Sequence, residues 1–384
     1  MYLEFNSSEY KVAAGGITIE LLPKEFALLQ FLYRHLGRTF SREQLLDHVW
    51  PLEYPVERTV DDHIYRLRKK LRVLSGLDIR TVRGFGYSLA FPGTPAGVMM
   101  NPTTNDPGLR ETMREVFSKF HVYGQGKSML TLARQQDILG YELDPVYSMV
   151  IHFVQGDLEW LLHTDEVPLK ERLFYLMIFY FLSGDPKERL GYCEQMIERQ
   201  LLYPNYQLEL EILTILDLFT LAGQPKRALE RLKRSHQVIA ELGYENFIPV
   251  TLITELFVHL VAGTGEEELK RMDEAIGIIL QEKPFLREIG SYKVVKGLWC
   301  LRLEQWREAE NLLHEGLQVL EMSGFVPLRL YALYRIVHFC RMFPPPKALE
   351  HKYEAIFAAE LEQSGLNRFN QALEETLQQV LKSL

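Results

Sequence analysis

Cysteine is scarce in this chain: three occur in 384 residues, Cys193, Cys300 and Cys340. They are too few and too far apart for a disulfide framework or a four-ligand zinc cluster, and they suit a reducing compartment, the cytoplasm. Long apolar runs are missing too. The longest, Leu173 to Leu182, is ten residues with two tyrosines in it, short of the roughly 20 that a membrane span needs, so a buried helix and no membrane partner are expected. The opening residues Met1-Tyr2-Leu3-Glu4-Phe5 have neither the basic start nor the apolar core of a secretory signal. His-Glu-x-x-His and Gly-x-Ser-x-Gly do not occur. Gly124-Gln125-Gly126-Lys127-Ser128 ends like a phosphate-binding loop, but His121 stands where the first glycine belongs and the context is helical, so a helix-breaking turn is expected. No catalytic constellation, metal site or cofactor is anticipated, and hence no enzyme.

What is present is ordinary globular material, 47% hydrophobic and 24% charged, in a length about twice that of one hydrophobic core. At least two domains are expected. The net charge of −8 is unevenly divided. Residues 1–92 hold 13 Lys+Arg and 11 Asp+Glu, a balance of +2, whereas the remainder stands at −10. Between Arg58 and Arg83 eight basic residues face Asp61, Asp62 and Asp78. A charge run of this kind is compatible both with a solvated helix face and with phosphate binding.

The N-terminal pattern changes period several times. Alternation at Leu3 and Phe5, then Ile17, Ile19 and Leu21, broken by Gly15-Gly16, predicts short antiparallel strands. Pro23 presets a first-turn φ, and Phe26, Leu29, Phe31, Leu32 and Leu36 form one apolar face before Gly37. Ser41 with Gln44 is a capping box for a short helix carrying Leu45, Leu46, Val49 and Trp50. After Pro51 and Pro55, the spacing Val60, Ile64, Leu67, Leu71 defines the buried stripe of a third helix. Its opposite face presents Arg58, Asp62, Tyr65, Arg66 and Lys69, a set able to reach base edges and phosphates from a major groove. Asp78 to Ala90 alternates around Arg83-Gly84-Phe85-Gly86 and predicts a β-hairpin whose tip arginine can enter a minor groove.

The motifs Pro23-Lys24-Glu25-Phe26, Ser41-Arg42-Glu43-Gln44-Leu45-Leu46, His48-Val49-Trp50, Arg58-Thr59-Val60-Asp61, Leu67-Arg68-Lys69 and Thr81-Val82-Arg83-Gly84-Phe85-Gly86-Tyr87 follow in that order. The first 90 or so residues are thereby similar to the OmpR/PhoB-type winged-helix DNA-binding domain. That resemblance implies a third helix in the major groove, a preceding loop that touches RNA polymerase, and a hairpin wing in the minor groove. It implies DNA contacts by Arg58, Thr59, Arg66 and Arg68 from the helix and by Thr81, Arg83 and Gly84 from the wing. Asp62 and Tyr65 depart from the residues common in relatives; Asp62 either accepts from a cytosine amino group or repels phosphate and orients Arg66. Two-component members of the family place a receiver domain before the winged helix, whereas here the winged helix begins at the first residue, so any input is expected from beyond residue 92.

Residues 93–110, rich in proline and glycine, are expected to be a linker. Residues 111–384 read as amphipathic helix throughout, an all-α domain. Ser183-Gly184-Asp185-Pro186-Lys187 recurs as Ala222-Gly223-Gln224-Pro225-Lys226, and turns follow near Gly263, Glu304-Gln305-Trp306 and Pro345-Pro346-Lys347 at a period near 40. Gly297, Ala309 and Gly316 fall where paired helices of a tetratricopeptide repeat approach closely, and a tetratricopeptide-like superhelix of αα-hairpins is expected. Such superhelices present a concave groove to peptides, partner proteins or further copies. The combined architecture resembles SARP- and HilA-type activators. The expectation is therefore a cytoplasmic transcriptional activator, dimeric, binding promoter DNA under control of a peptide or protein effector. The competing expectation is an interaction scaffold whose winged helix docks a protein.

Overall fold

A computed structural model describes residues 3–382 except 8, 15, 36–38, 51–55, 57, 75–76, 83–85, 91–102, 105 and 165–166. The chain divides into two units, Met1–Arg110 with Gln135–Glu142, and Glu111–Arg134 with Leu143–Leu384.

In the first unit, β1 (Glu4–Asn6), β2 (Lys11–Ala14) and β3 (Ile17–Glu20) form an antiparallel sheet in that order. Burial falls on Leu3, Val12, Ala14 and Leu21, while Ile17 is 44% exposed. Helix α1 (Pro23–Arg34) starts on its proline and buries Phe26, Leu28, Leu29 and Leu32; Leu36 and Gly37 lie outside the described residues. The capping box forms as anticipated ahead of α2 (Arg42–Val49): Ser41 Oγ accepts from Gln44 N at 3.1 Å and Gln44 Oε1 accepts from Ser41 N at 2.9 Å. Helix α3 (Arg58–Leu71) buries Val60, Ile64, Leu67 and Leu71. The hairpin β5 (Asp78–Val82) and β6 (Gly86–Ala90) is joined by a strand that three residues were too short to announce, β4 (Thr39–Ser41), giving the order β4-β6-β5. Ser41 pairs with Gly86, where a side chain would overlap the Phe40 carbonyl. One apolar core, from Leu3 through Trp50 and Val60 to Leu89, unites both sheets with the three helices. Of the expected linker, residues 91–102 and 105 are outside the described set, and Pro107 already begins a helix, Pro107–Val122, with Asp106 Oδ1 accepting from Leu109 N at 2.6 Å.

The second unit is helical. Every turn anticipated from the 40-residue period lies between two consecutive helices: Leu169–Tyr180 and Pro186–Arg199, Ile215–Leu221 and Pro225–Leu242, Ile248–Ala262 and Glu266–Glu282, Leu286–Arg302 and Trp306–Ser323, and Val326–Met342 and Lys347–Gln363. Gly184, Gly223 and Gly263 take left-handed φ of 78°, 75° and 83° in the first three turns, and Glu304 does so at 59° in the fourth. In the fourth pair a Cβ on Gly297 would lie 2.7 Å from Leu313 Cγ and one on Gly316 2.8 Å from the Gly290 carbonyl oxygen, so those positions admit no larger residue without separating the helices. Ala309 is fully buried beside them. The segment Glu245–Ala262 is long and apolar enough to cross a membrane by length and composition, although polar residues interrupt its apolar run. Its Ile253, Leu256, Phe257 and Leu260 are packed in the core against the neighbouring pairs. Gly124 falls in a turn between the helices Pro107–Val122 and Gly126–Arg134 with φ 69°, consistent with the helix-breaking role expected of the glycine-rich stretch.

The hairpins close back on one another. The last helix, Leu366–Lys382, packs on Leu158–His163 and Leu169–Tyr180. Tyr192 donates to the Leu377 carbonyl at 2.9 Å, and Ser183 Oγ to Asn370 Oδ1 at 3.0 Å, across 185 and 187 residues of chain. Between the second and fifth pairs, Arg335 Nη2 donates to both carboxylate oxygens of Asp217 at 2.7 Å. Both side chains of this ion pair are buried.

Candidate nucleic-acid interface

Helix α3 is amphipathic because its apolar residues recur at 4, 3 and 4 positions, so the residues between them must face the other way. Arg58, Asp62, Tyr65, Arg66 and Lys69 are all exposed on that outer side, Tyr65 at 70%. Among the described residues none of the five side chains makes a hydrogen bond or ion pair, so three cations and an aromatic ring are available on one helix face. Thr59 is half-buried at the second position of α3, and its carbonyl accepts from His63 Nδ1 at 2.7 Å while that imidazole stands edge-on to Trp50 at 5.0 Å. His63 is thus a packing residue.

Two cations of the same helix are committed elsewhere. Arg68, expected on DNA, turns toward the wing: Nε and Nη2 donate to the Ile79 carbonyl at 2.9 and 2.7 Å, and Nη2 donates to Thr81 Oγ1 at 2.6 Å. Through these bonds Arg68 and Thr81 fix the hairpin against the helix. Lys70 Nζ lies 2.7 Å from Glu25 Oε2, whose side chain is 1% exposed, and also donates to the Glu20 carbonyl at 3.2 Å. A charge run read as one basic surface therefore separates into an outward set and a structural set. Arg83 and Gly84 lie outside the described residues.

Asp61 anchors a joint that spacing alone did not reveal. Its Oδ1 accepts from Arg42 Nε and from the Tyr87 hydroxyl, both at 2.7 Å, tying α2, α3 and β6 together. The Tyr87 ring carries the Arg42 guanidinium at 5.2 Å and that of Arg68 at 5.6 Å, cation–π distances both. Burial and then the hydrogen bond to Asp61 push the Tyr87 phenol above its ordinary range. Burial works against the charge of Arg42, but Asp61 and Tyr87 outweigh it and hold the guanidinium more firmly protonated. The wing's base is thus clamped to the helix whose outer face is free.

A small sheet, three helices and a hairpin clamped beside an amphipathic third helix define the winged helix-turn-helix class. Residues 16–89 match the family described as transcriptional regulatory protein, C terminal. The transcriptional regulatory protein VxrB of Vibrio cholerae is 46% identical over 88 residues, covering 23% of this chain and 35% of that protein. The phosphate regulon transcriptional regulatory protein PhoB of Escherichia coli is 49% identical over 88 residues, covering 22% of this chain and 38% of that protein. Among solved structures, the DNA-binding domain of E. coli CadC is 31% identical with a TM-score of 0.22, covering 23% of this chain and 87% of that one. The AdeR DNA-binding domain, solved in complex with an intercistronic region, is 31% identical with a TM-score of 0.21, covering 24% and 98%. The N-terminal domain belongs to the OmpR/PhoB-type winged-helix DNA-binding family. The chain spans little more than a third of the length of VxrB and PhoB.

Proposed function

We propose that this protein is a transcriptional regulator that binds double-stranded promoter DNA through α3 and the adjoining wing. The observation that carries the proposal is the unpaired outer face of α3, with Arg58, Tyr65, Arg66 and Lys69 exposed opposite a fully buried stripe, in a domain of this family. Arg58, Thr59, Asp62, Tyr65, Arg66 and Lys69 make up the helix contribution. Arg68, Thr81, Arg83 and Gly84 supply the wing's, and the bonds between Arg68 and β5 also hold that wing in place. The match of residues 16–89 to a transcriptional regulatory protein family supports DNA as the partner. The helical unit is a tetratricopeptide-like regulatory domain that governs self-association or receives an effector. A dimer on tandem sites is favoured because a single winged helix covers little DNA, and the sign of regulation is activation, by contact with RNA polymerase in the cytoplasm.

The test is a gel shift on genomic fragments with the full chain at ~150 mM salt, where sequence-specific complexes persist and purely electrostatic ones weaken. Arg66→Ala is expected to relax preference at one or two base pairs at a cost of about 1–3 kcal/mol, and Arg83→Ala to weaken binding to most sequences. Negligible effects from both, with retention of a protein partner instead, would establish the scaffold reading.

A further inference from the structure

The helical unit closes where its first hairpin meets its last helices, and a cleft of about 530 Å³ opens at that seam. The volume lies within the range of small-molecule sites. Its walls come from parts of the chain far apart in sequence: Asp185 from the first hairpin turn, His338 and Arg341 from Val326–Met342, Phe357 from Lys347–Gln363, and Asn367 and Asn370 from the last helix. Three features of the lining bear on what it would hold. A guanidinium and a carboxylate stand apart in it. Arg341 is 56% exposed with only a loose 3.7 Å approach to Glu354, and Asp185 uses Oδ1 to cap Lys187 N at 2.8 Å. Between them His338 responds to both, since after burial Arg341 pushes its pKa down while Asp185 pulls it up, to a net value of about 4. At neutral pH it is an uncharged ring that can donate or accept. Finally, Tyr334, Phe357 and Leu361 contribute apolar surface to the same cleft. A separated cation and anion with amides and an apolar wall complement a molecule that carries a carboxylate, an ammonium and an apolar body.

We propose that this cleft binds a small zwitterion with an apolar side chain, a free amino acid or a dipeptide, with Arg341 holding the carboxylate and Asp185 the ammonium. The same cleft contains the Ser183–Asn370 hydrogen bond, and Tyr334 donates to the Gly184 carbonyl there at 3.4 Å, so the ligand spans the contacts that close the helical unit. An occupant therefore stabilises closure. The proposal rests on the regulatory reading of this unit and identifies its effector by chemistry.

The experiment is calorimetric titration of the full chain with two probes, L-phenylalanine and L-leucyl-L-leucine, and with two truncated controls, 3-phenylpropionate and phenethylamine. At least one zwitterion is expected to bind, and each control at least tenfold more weakly than L-phenylalanine or not at all. Arg341→Gln and Asp185→Asn, the latter keeping a residue that caps helices, are each expected to weaken binding at least tenfold while the thermal unfolding midpoint of the unliganded chain stays in place. Preference between the two probes separates amino acid from dipeptide. Absence of heat with both probes at 10 mM, controls that bind as well as the zwitterions, or variants that bind as well as the parent would each overturn the proposal. A gel shift with and without the bound probe keeps the two levels apart: binding without change in DNA affinity upholds the cleft and removes its regulatory role.

Discussion

Replacing Arg335 with methionine tests how the helical unit holds itself closed. Arg335 and Asp217 have side-chain exposures of 6% and 7%, and they join helices 118 residues apart. The guanidinium also lies over Phe257 at 4.6 Å and Tyr331 at 5.0 Å. Methionine keeps the stem that fills this space but leaves the Asp217 carboxylate buried and uncompensated, which costs about 3–5 kcal/mol in comparable pairs. That is more than a hundredfold in the folding equilibrium. The assay is urea unfolding of the intact chain followed by the fluorescence of Trp160, Trp299 and Trp306, with the N-terminal domain's transition assigned separately by a Trp50→Phe control. The double variant Asp217→Leu with Arg335→Met removes both charges and should recover to within about 1 kcal/mol of the parent. A single variant that loses under ~1 kcal/mol, or a double variant as damaged as the single, would refute the strut.

Three further outcomes follow from neighbouring geometry. Lys69→Ala should weaken binding to all duplexes alike and lower the salt slope by about 1 without moving the unfolding midpoint, whereas Lys70→Ala should destabilise the N-terminal domain by about 1–3 kcal/mol through the stranded Glu25; equal thermal shifts from the two would sink the division of the basic run. Tyr87→Phe keeps the ring but removes the hydroxyl that donates to Asp61, and should cost about 1–2 kcal/mol by urea titration and lower DNA affinity as the wing loosens; an unchanged midpoint would show the joint to be idle. Burial raises Glu209 from 4.5 to about 7, with Arg287 pulling it back. The neutral acid is favoured in the fold, so this stability is present below pH 4.5 and disappears as the pH rises through 7. Glu209→Gln should therefore be the more stable protein at pH 8, by up to about 3 kcal/mol, and the gap should vanish near pH 4.5; a gap that persists there would contradict the assignment.

Much of this fold was legible because it is written in local periodicity. The stripe Val60, Ile64, Leu67, Leu71 located α3 and its outer face, and Ser41 with Gln44 located the start of α2, since both signals lie within one or two helical turns. The five hairpin turns were visible through repetition rather than through any one of them. What escaped depends on residues remote in sequence. Nothing in the alternation around Thr39 marks a strand that exists only because β6 lies beside it. Lys69 and Lys70 look alike in a charge count, yet Glu25, 45 residues earlier, claims the second. Arg68 reads as another phosphate ligand, and its local spacing does not announce the Ile79 carbonyl of β5 to which it also donates. Asp217 and Arg335 sit in helices that would each pass as apolar, and 118 residues of sequence separate the two partners, so no local pattern pairs them.

The most direct measurement of the central claim is the ratio of dissociation constants of the full chain for an enriched genomic duplex and for a scrambled duplex of equal length, taken at ~150 mM salt for the parent and for Arg66→Ala. Recognition by the outer face of α3 predicts a ratio of at least about 10³ for the parent and a fall of about tenfold or more in the variant, with the scrambled duplex little changed. A parent ratio near one, or a high ratio that Arg66→Ala leaves intact, would contradict it.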